Sequence, residues 1–442
     1  MLPILNQSLW RDEAFSALLS EKSPLQIIPL TMRDATPPFH YFLLHYWMLM
    51  FGTSEVAIRG LSFIFHILTV FIVFLIARKL IKSTLVQSLI ALATLLNPFL
   101  LQYAFEARTY SLLAFLSILA VYLAISRKYV LSGVVLSLAI FTHNFAVFTL
   151  VAFAFWFTFV NKHRLKEVKI EMLQLFTFPI LSLLVWGSVI WQQWTKVASG
   201  FWIKPATFSL FLNSFEKYSK GDLSFSVQPM LYTFTLVLCF FAFGYWIWRE
   251  QKEEQGNNLL LIAFVILIPT LITYFISALF SPIYDERYLI GTAPLLIFLI
   301  GYSLNRLFEV NYKLRYVITS FVAIYVLLLI QTSQEIVVIS TKSPINYAVS
   351  QILSKARAGD VIIPESNLNF LETKWYAKQS GSSIPVYAIA PNGKIPFYIG
   401  AVLFEPQEII SQMPKGSRVW QIKSDGGYQL LKSKNLYNIL KK

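Results

Sequence analysis

Long runs of apolar residues fill most of the chain between residues 55 and 338, and polar positions are confined to short segments between them. A helix needs roughly 17–25 apolar residues to cross a membrane. Runs close to that length predict about ten transmembrane helices. They lie at residues 55–80, 84–101, 106–125, 129–142, 143–160, 171–194, 229–248, 258–280, 288–308 and 313–338. The adjoining runs 129–142 and 143–160 predict short helices broken at His143 and Asn144.

The segments outside these runs follow other patterns. Residues 37–52 are aromatic but too short to cross, and Pro at their start and Gly at their end predict a helix lying in the interface. In the last hundred residues the spacing of apolar positions predicts short helices and strands. The helices are expected at residues 345–353 and 368–377, and the strands at 360–364, 384–389, 397–404 and 418–422.

The predicted fold is an all-α polytopic membrane domain with interfacial helices, followed by a small α/β domain. We expect the membrane domain at residues 1–340, with a first outer loop at 1–54. The α/β domain is expected at residues 341–442, soluble and extracytoplasmic.

Composition supports a membrane protein. Of 442 residues, 56% are hydrophobic and 14% are charged, against about 45–50% and 25% in soluble domains. The net charge of +14 would suggest nucleic acid in a soluble chain. Here Lys and Arg concentrate in alternate loops, which indicates cytoplasmic loops and no nucleic-acid partner. The single cysteine, Cys239, lies in an apolar run and is interpreted as a packing residue.

Two acidic sites precede the first long apolar run. Asp12 and Glu13 are neighbours, so on a helix they point about 100° apart and one carboxylate can act while the other anchors a neighbour. The ordinary alternative is an acidic first turn favoured by the helix dipole. Asp34 stands just before Thr36 and Pro37, where it is either a turn former or a carboxylate held on a rigid turn.

A second group of polar residues stands at the predicted outer ends of later helices. Charges at the edge of a span are costly and are therefore functional candidates, with ion pairs or interface anchors as the alternative. Glu106 and Arg108 form one such site, and Arg287 and Tyr288 form another. Arg287 is suited to phosphate, because a planar guanidinium binds phosphate through paired hydrogen bonds. His143 lacks metal-ligand spacing and is interpreted as structural.

Several short motifs together resemble one family. The chain resembles family 39-like glycosyltransferases, membrane enzymes of the C-type superfamily related to protein O-mannosyltransferases and lipid A aminoarabinose transferases. The similarity covers residues 8 to about 310, and the combined early motif is its most specific part. The motifs are Leu9-Trp-Arg-Asp-Glu-Ala14, Asp34-Ala-Thr-Pro-Pro-Phe-His-Tyr41, Phe51-Gly-Thr-Ser-Glu-Val-Ala-Ile-Arg59, Glu106-Ala-Arg-Thr-Tyr110, Thr142-His-Asn-Phe145 and Arg287-Tyr-Leu289.

The resemblance implies a hexosyl- or pentosyltransferase that uses a polyprenyl-phosphate-linked sugar. The acceptor would be a hydroxyl group of a protein, lipid or glycan, at the outer face of a bacterial or archaeal plasma membrane. By position Asp12 matches the catalytic base, and Glu13 and Asp34 match its acidic companions. Arg287, with Arg108 and Tyr288, is expected to bind the donor phosphate.

Other expectations remain open. Glu106 and His143 are candidates for metal binding or support, and a divalent cation as cofactor is left undecided. The family usually carries a full transmembrane span before the Asp-Glu motif, so either this chain starts outside the membrane or an upstream first helix is missing from the sequence. The family pattern also favours a less charged residue at position 11 than Arg11. The alternative functions are a polytopic transporter or lipid flippase, and a catalytically inactive family member.

Overall fold

The structure is a computed structural model that describes residues 3–198, 203–221, 229–250, 253–310, 314–339, 342–412 and 418–431. Within these ranges the chain forms seventeen α-helices and five short β-strands. The helices are α1 (Arg11–Ser20), α2 (Pro24–Arg33), α3 (Phe39–Phe51), α4 (Glu55–Leu80), α5 (Thr84–Leu95), α6 (Pro98–Ala104), α7 (Tyr110–Ile125), α8 (Tyr129–Ile140), α9 (Ala146–Val160), α10 (Lys169–Ala198), α11 (Phe208–Lys220), α12 (Pro229–Glu250), α13 (Glu254–Leu279), α14 (Thr292–Val310), α15 (Leu314–Ile339), α16 (Ile345–Leu353) and α17 (Phe370–Gln379). The strands are β1 (Val361–Pro364), β2 (Ala388–Ile389), β3 (Ile409–Ile410), β4 (Val419–Ile422) and β5 (Tyr428–Leu430).

Each predicted apolar run is helical, with one internal break that the pattern did not predict. The run at 84–101 divides into α5 and α6, which meet at an angle of 54°. Asn97 causes the break, because its side chain accepts a hydrogen bond from Leu100 N at 3.0 Å and Pro98 begins the new helix. The predicted break at His143 and Asn144 is confirmed, since α8 ends at Ile140 and α9 begins at Ala146.

Three helices in the described ranges are long and apolar enough to cross a membrane, namely α4, α10 and α13. The bent pair α5 and α6 would make a fourth if it forms one span. The helices α7, α8 and α9 are apolar but shorter. The predicted count of about ten crossings therefore stays a prediction, and so does the interfacial position of residues 37–52, which form the helix α3.

The chain divides into two compact units. The first unit joins residues Met1–Leu61 to Ile339–Lys442, and the second unit comprises Ser62–Val338. The chain passes from one unit to the other twice, and the second passage lies close to the predicted division near residue 340. As a division into separate domains it stays a prediction.

In the first unit, the helices pack around α1 and α17. The helix α1 packs against α3 and α17, and α16 packs against α17. The strand β4 pairs in parallel with β1 and antiparallel with β5, so these three strands form one small sheet. A second pair, β2 and β3, is also parallel.

The predicted strand at 397–404 is wrong. Two 3-10 turns, Phe397–Ile399 and Ala401–Leu403, occupy this segment. Gly400 between them has φ of 82°, in the left-handed region that glycine adopts readily. A Cβ atom at this position would lie 2.6 Å from the Phe15 ring of α1, so close packing against α1 also requires glycine.

In the second unit, α8 packs against α7 and α10, α9 packs against α13, and α14 packs against α12. The region 195–228, which lies between two of the predicted apolar runs, contains the helix α11 in its described part. Thr207 caps this helix by accepting a hydrogen bond from Leu210 N at 3.2 Å. Cys239 is buried, in agreement with a packing residue.

Candidate active site

The first turn of α1 carries both acidic neighbours, and their side chains diverge as the sequence predicts. Glu13 is fully buried and accepts two hydrogen bonds from Arg59, from Nε at 2.8 Å and from Nη2 at 2.7 Å. Lys342 Nζ donates a third at 2.8 Å. The carboxylate of Glu13 is thus held in a fork of one guanidinium and one ammonium group, the geometry of a strong charge-assisted pair.

Arg59 also fixes the chain that leads into α1. Its guanidinium is fully buried and donates to backbone carbonyl groups of that segment. The acceptors are the carbonyl oxygens of Ile4 at 3.1 Å, Leu5 at 2.9 Å, Gln7 at 2.7 Å and Ser8 at 2.9 Å. Because these bonds satisfy the remaining donors, one side chain of α4 anchors both Glu13 and residues 4–8.

The charges of Lys342 and Arg59 keep the Glu13 carboxyl group ionised. Burial by itself would raise the pKa of the Glu13 carboxyl, but Lys342 and Arg59 outweigh burial and hold the pKa at about 2. A carboxylate with so low a pKa is a poor proton acceptor near neutral pH. Glu13 therefore serves as an anchor in the first unit.

Asp12 is in a different position. Its side chain is 18% exposed and pairs with Arg11 Nε at 2.9 Å, and its backbone carbonyl accepts from Ser16 Oγ at 2.9 Å. Asp34 lies at the C-terminal end of α2, where its backbone N–H donates to the carbonyl groups of Leu30 and Thr31. The helix α1 packs against α2 and α3. Asp12 thus stands in the first turn of α1 with part of its side chain exposed, whereas Glu13 beside it is fully buried.

The helix α17 packs against α1, and one of its side chains contacts the segment before Asp12. The hydroxyl oxygen of Tyr376 accepts a hydrogen bond from Leu9 N at 2.6 Å and donates to Glu55 Oε1 at 3.1 Å. Glu372 is 5% exposed and accepts a hydrogen bond from Asn369 Nδ2 at 3.1 Å. Burial raises the pKa of the Glu372 carboxyl to about 7.

In the second unit, Arg287 lies in a cluster of aromatic rings. It follows Asp285, whose carboxylate accepts from Arg287 N at 3.1 Å and pairs with Arg287 Nε at 3.2 Å. The guanidinium carbon lies 5.8 Å from the ring centroid of Tyr110 and 5.3 Å from that of Tyr288. These distances are those of cation–π contacts.

Arg108 and His143 complete this group, which we name the arginine–tyrosine cluster: Arg108, Tyr110, His143, Arg287 and Tyr288. The guanidinium carbon of Arg108 lies 5.7 Å from the Tyr110 ring, and the ring of His143 lies 5.1 Å from that of Tyr288. Arg108 and Arg287 bring two guanidinium groups to this cluster.

Two acidic residues, Glu106 and Glu286, are close in sequence to members of this cluster. The backbone carbonyl of Glu106 accepts from Arg108 N at 2.8 Å in the turn before α7. Glu286 pairs with Lys217 of α11 at 3.8 Å. Among the described residues, no three His, Cys, Asp or Glu side chains are grouped so that they could hold a metal ion. The metal roles of Glu106 and His143 stay predictions.

The structure thus places Asp12, Glu13 and Asp34 in the first unit and brings Arg108, His143, Arg287 and Tyr288 together in the second. Sequence reasoning missed Arg59, Lys342, Glu372 and Tyr376 as site residues. Arg59 carried a usable signal, because a charge inside an apolar run needs a partner. The other three stand in ordinary amphipathic segments that give no such signal.

Part of the chain matches a known protein family. Residues 35–186 match the model of a family described as dolichyl-phosphate-mannose-protein mannosyltransferase. The match agrees with the predicted resemblance to membrane glycosyltransferases of the C-type superfamily, which is confirmed. No curated protein matches the sequence significantly.

Two solved structures share the fold. The chain is similar to ArnT from Cupriavidus metallidurans in the apo state, with 14% identity, a TM-score of 0.60, and coverage of 96% of this chain and 90% of that chain. It is also similar to the same ArnT bound to undecaprenyl phosphate, with 14% identity, a TM-score of 0.56 and the same coverage. Together with the apolar helices, these matches indicate an integral membrane protein with the fold of ArnT.

Proposed function

We propose that this protein is a membrane glycosyltransferase that moves a sugar from a polyprenyl-phosphate donor to an acceptor hydroxyl at the extracytoplasmic face. The observation that carries the proposal is the arginine–tyrosine cluster, found on a fold of which one solved example is bound to undecaprenyl phosphate. Guanidinium groups bind phosphate oxygens in pairs, and the rings fix their orientation. Arg287 and Arg108 are the proposed phosphate contacts, with Tyr288 beside them.

Asp12 is the proposed general base. The acceptor oxygen attacks the anomeric carbon of the sugar as the bond from that carbon to the phosphate oxygen breaks. Asp12 takes the proton of the acceptor hydroxyl, and polyprenyl phosphate leaves with the bonding electrons. Direct displacement of this kind inverts the anomeric configuration. The contrast with Glu13 supports the assignment, since two cations already neutralise Glu13 whereas Asp12 is partly exposed.

The test uses the purified full chain in lipid nanodiscs with a panel of polyprenyl-phosphate hexoses and pentoses. We expect the wild type to consume one donor and release polyprenyl phosphate. Asp12→Asn should lower this rate by about 10²–10⁴-fold, the usual worth of a general base. Glu21→Gln, at the other end of α1, is the matched control and should keep the wild-type rate.

Two results would overturn the proposal. Recovery of every donor intact, or its movement across the bilayer without cleavage, would favour a flippase or an inactive protein. Turnover by Asp12→Asn close to the wild-type rate would remove Asp12 from the role of base while leaving the transferase activity in place.

A further inference from the structure

Arg287 of the arginine–tyrosine cluster stands in the segment that connects α13 to α14, residues 280–291. Local hydrogen bonds give this segment its shape. Ser277 Oγ, near the end of α13, accepts from Tyr284 N at 3.2 Å, and Asp285 accepts from Arg287 N at 3.1 Å. Both bonds join residues close in sequence, so the position of the segment relative to other helices depends on further contacts.

The backbone of this segment sends neighbouring side chains in opposite directions. Asp285 has extended dihedral angles, with φ of −143° and ψ of 128°. The two neighbours of an extended residue project to the side opposite its own side chain. Tyr284 and Glu286 therefore point one way, and Asp285, which pairs with Arg287 Nε at 3.2 Å, points the other way.

The helix α11 contacts Tyr284 and Glu286 through one face. Tyr284 is 2% exposed, and its hydroxyl group donates to Ser214 Oγ at 2.8 Å. Ser214 Oγ in turn donates to the carbonyl oxygen of Leu210 at 2.8 Å, so its orientation is fixed. Glu286 pairs with Lys217 Nζ at 3.8 Å. Ser214 and Lys217 are three residues apart, which places them on the same face of α11.

The helix α11 is itself held at its C-terminal end. Asn97, at the break between α5 and α6, donates from Nδ2 to the carbonyl oxygens of Tyr218 at 3.1 Å and Ser219 at 3.0 Å. Tyr325 of α15 donates its hydroxyl group to the same Ser219 oxygen at 2.8 Å. The last carbonyl groups of a helix lack intrahelical partners, so these bonds satisfy them and join α11 to two other elements. A helix held in this way is a fixed support for residues 280–291.

We propose that α11 positions Arg287 for the donor phosphate, and that Tyr284 is the positioning residue. The hydroxyl group of Tyr284 joins the segment to α11 and so fixes the place from which Arg287 reaches the phosphate. The pair of Lys217 and Glu286 contributes less, because its side chains are 23% and 14% exposed and solvent screens the charges. The inference rests on the proposed function, in which Arg287 is a phosphate contact.

The test uses the full chain in lipid nanodiscs and measures the donor KM and the Kd of polyprenyl phosphate. Tyr284→Phe removes only a hydroxyl group and should raise both by about 3- to 10-fold, the effect of one buried hydrogen bond, with kcat unchanged. Hydrogen–deuterium exchange of the peptide that covers residues 280–291 should increase. Ser214→Ala removes the other partner, so the double variant should bind no more weakly than the weaker single variant.

Tyr325→Phe is the matched control. It also removes a tyrosine hydroxyl group that donates to α11, but the donor lies on α15 and Asn97 still bonds to the same Ser219 oxygen. This variant should keep the wild-type KM, Kd and exchange of residues 280–291. Equal changes in Tyr325→Phe and Tyr284→Phe would reflect a general loosening of α11 and would overturn the positioning role.

A second double-variant experiment asks whether Tyr284 acts through Arg287. Added to Arg287→Ala, Tyr284→Phe should cause no further rise in the Kd of polyprenyl phosphate, because the group that it positions is already gone. Additive effects of the two substitutions overturn the inference, and so does unchanged exchange of residues 280–291 in Tyr284→Phe.

Binding of polyprenyl phosphate separates this inference from the proposed function. If the wild type binds polyprenyl phosphate and transfers no sugar, while Tyr284→Phe binds about 3- to 10-fold more weakly, the proposed function fails and the positioning of Arg287 stands. If Tyr284→Phe binds and transfers as the wild type does, the positioning role fails and the proposed function stands. A wild type that neither binds nor transfers overturns both.

Discussion

The surroundings of Glu13 and of Arg287, in the two units of this protein, differ in how they stabilise a charged side chain. In the first unit the negative charge of Glu13 is enclosed by Arg59 and Lys342, with the carboxylate and the guanidinium fully buried. In the second unit the positive charge of Arg287 lies against aromatic rings and one carboxylate, with 17% of its side chain exposed. The first arrangement is built to fix geometry, whereas the second is suited to receiving an anion.

The difference has an energetic consequence. A buried ion pair adds little net stability over an apolar pair, but removal of one partner strands a buried charge. A cation on aromatic rings at a partly exposed site can be removed at lower cost to the fold, and its loss should appear mainly in ligand binding. Substitutions in the first region should therefore lower stability, whereas substitutions in the second region should weaken donor binding.

The largest effect is expected for Arg59→Leu. This change leaves the Glu13 carboxylate and four backbone carbonyl groups without their guanidinium, and it should cost about 3–5 kcal/mol in the free energy of unfolding. The measurement is the apparent melting temperature in detergent, together with the yield of monodisperse protein. The melting temperature of Arg59→Lys should lie between those of the wild type and Arg59→Leu, because lysine keeps the charge but cannot form the paired hydrogen bonds of a guanidinium.

Arg127→Leu is the control for this prediction. Its guanidinium is 67% exposed and pairs with an exposed glutamate, Glu254, so the melting temperature should hardly change. Equal melting temperatures for Arg59→Leu and Arg127→Leu would show that the Glu13 network does not hold the first unit together.

The next effect is a dependence of stability on pH through Glu372. Its pKa is about 7 in the folded protein and 4.5 as the ordinary value, so the folded state binds more protons between these values. This contribution to stability is present below about pH 4.5 and is lost as the pH rises through 7, by about 3 kcal/mol. The melting temperature of the wild type should therefore fall relative to Glu372→Gln between pH 5 and 8.

Glu13 should behave in the opposite way. Its pKa of about 2 means that its contribution is present above about pH 4.5 and is lost only as the pH falls towards 2. The exposed Glu405→Gln variant is a control and should follow the wild type across the whole range. Parallel curves for wild type and Glu372→Gln between pH 5 and 8 would contradict the raised pKa.

A smaller effect is expected in the second region. Arg287→Ala should raise the donor KM by about 10- to 100-fold, equal to about 1.4–2.8 kcal/mol, with little change in melting temperature. Arg249→Ala removes another arginine stacked on a ring, 4.9 Å from the Trp246 centroid, and should leave the donor KM as it is. A donor KM unchanged in Arg287→Ala would leave Arg287 as an anchoring residue.

The smallest effect belongs to an exposed cation of the first unit. Lys378 pairs with Glu21 at 2.5 Å, but its side chain is 56% exposed. Lys378→Ala should cost no more than about 1 kcal/mol, because solvent screens such pairs. A loss as large as that of Arg59→Leu would mean that burial does not explain the difference between the anchors.

The sequence was a good guide wherever structure is local. Apolar runs predicted the helices from α4 to α15 except α11, which lies between two runs, because an apolar run long enough to cross a membrane is normally helical. The adjacency of Asp12 and Glu13 predicted two diverging side chains. The motif around Arg287 identified an arginine next to an aromatic residue, and Arg108 with Tyr110 identified a second.

The sequence failed where a residue's role depends on a distant partner. Glu13 and Lys342 are 329 residues apart, and nothing in the pattern around Lys342 indicates that pair. The segment 397–404 is apolar enough for a strand, yet Gly400 bends it so that it packs against Phe15. Glu372 looks like an ordinary helix glutamate until α17 is placed against α1.

By itself, then, the sequence determined which segments are helical and apolar and which few residues carry charge at their ends, because those properties follow from neighbouring positions. Only the tertiary structure decided which carboxylate is neutralised and which is partly exposed. That outcome depends on Arg59, Lys342 and α17 converging on one helix turn, and such convergence is a property of packing between segments far apart in the chain.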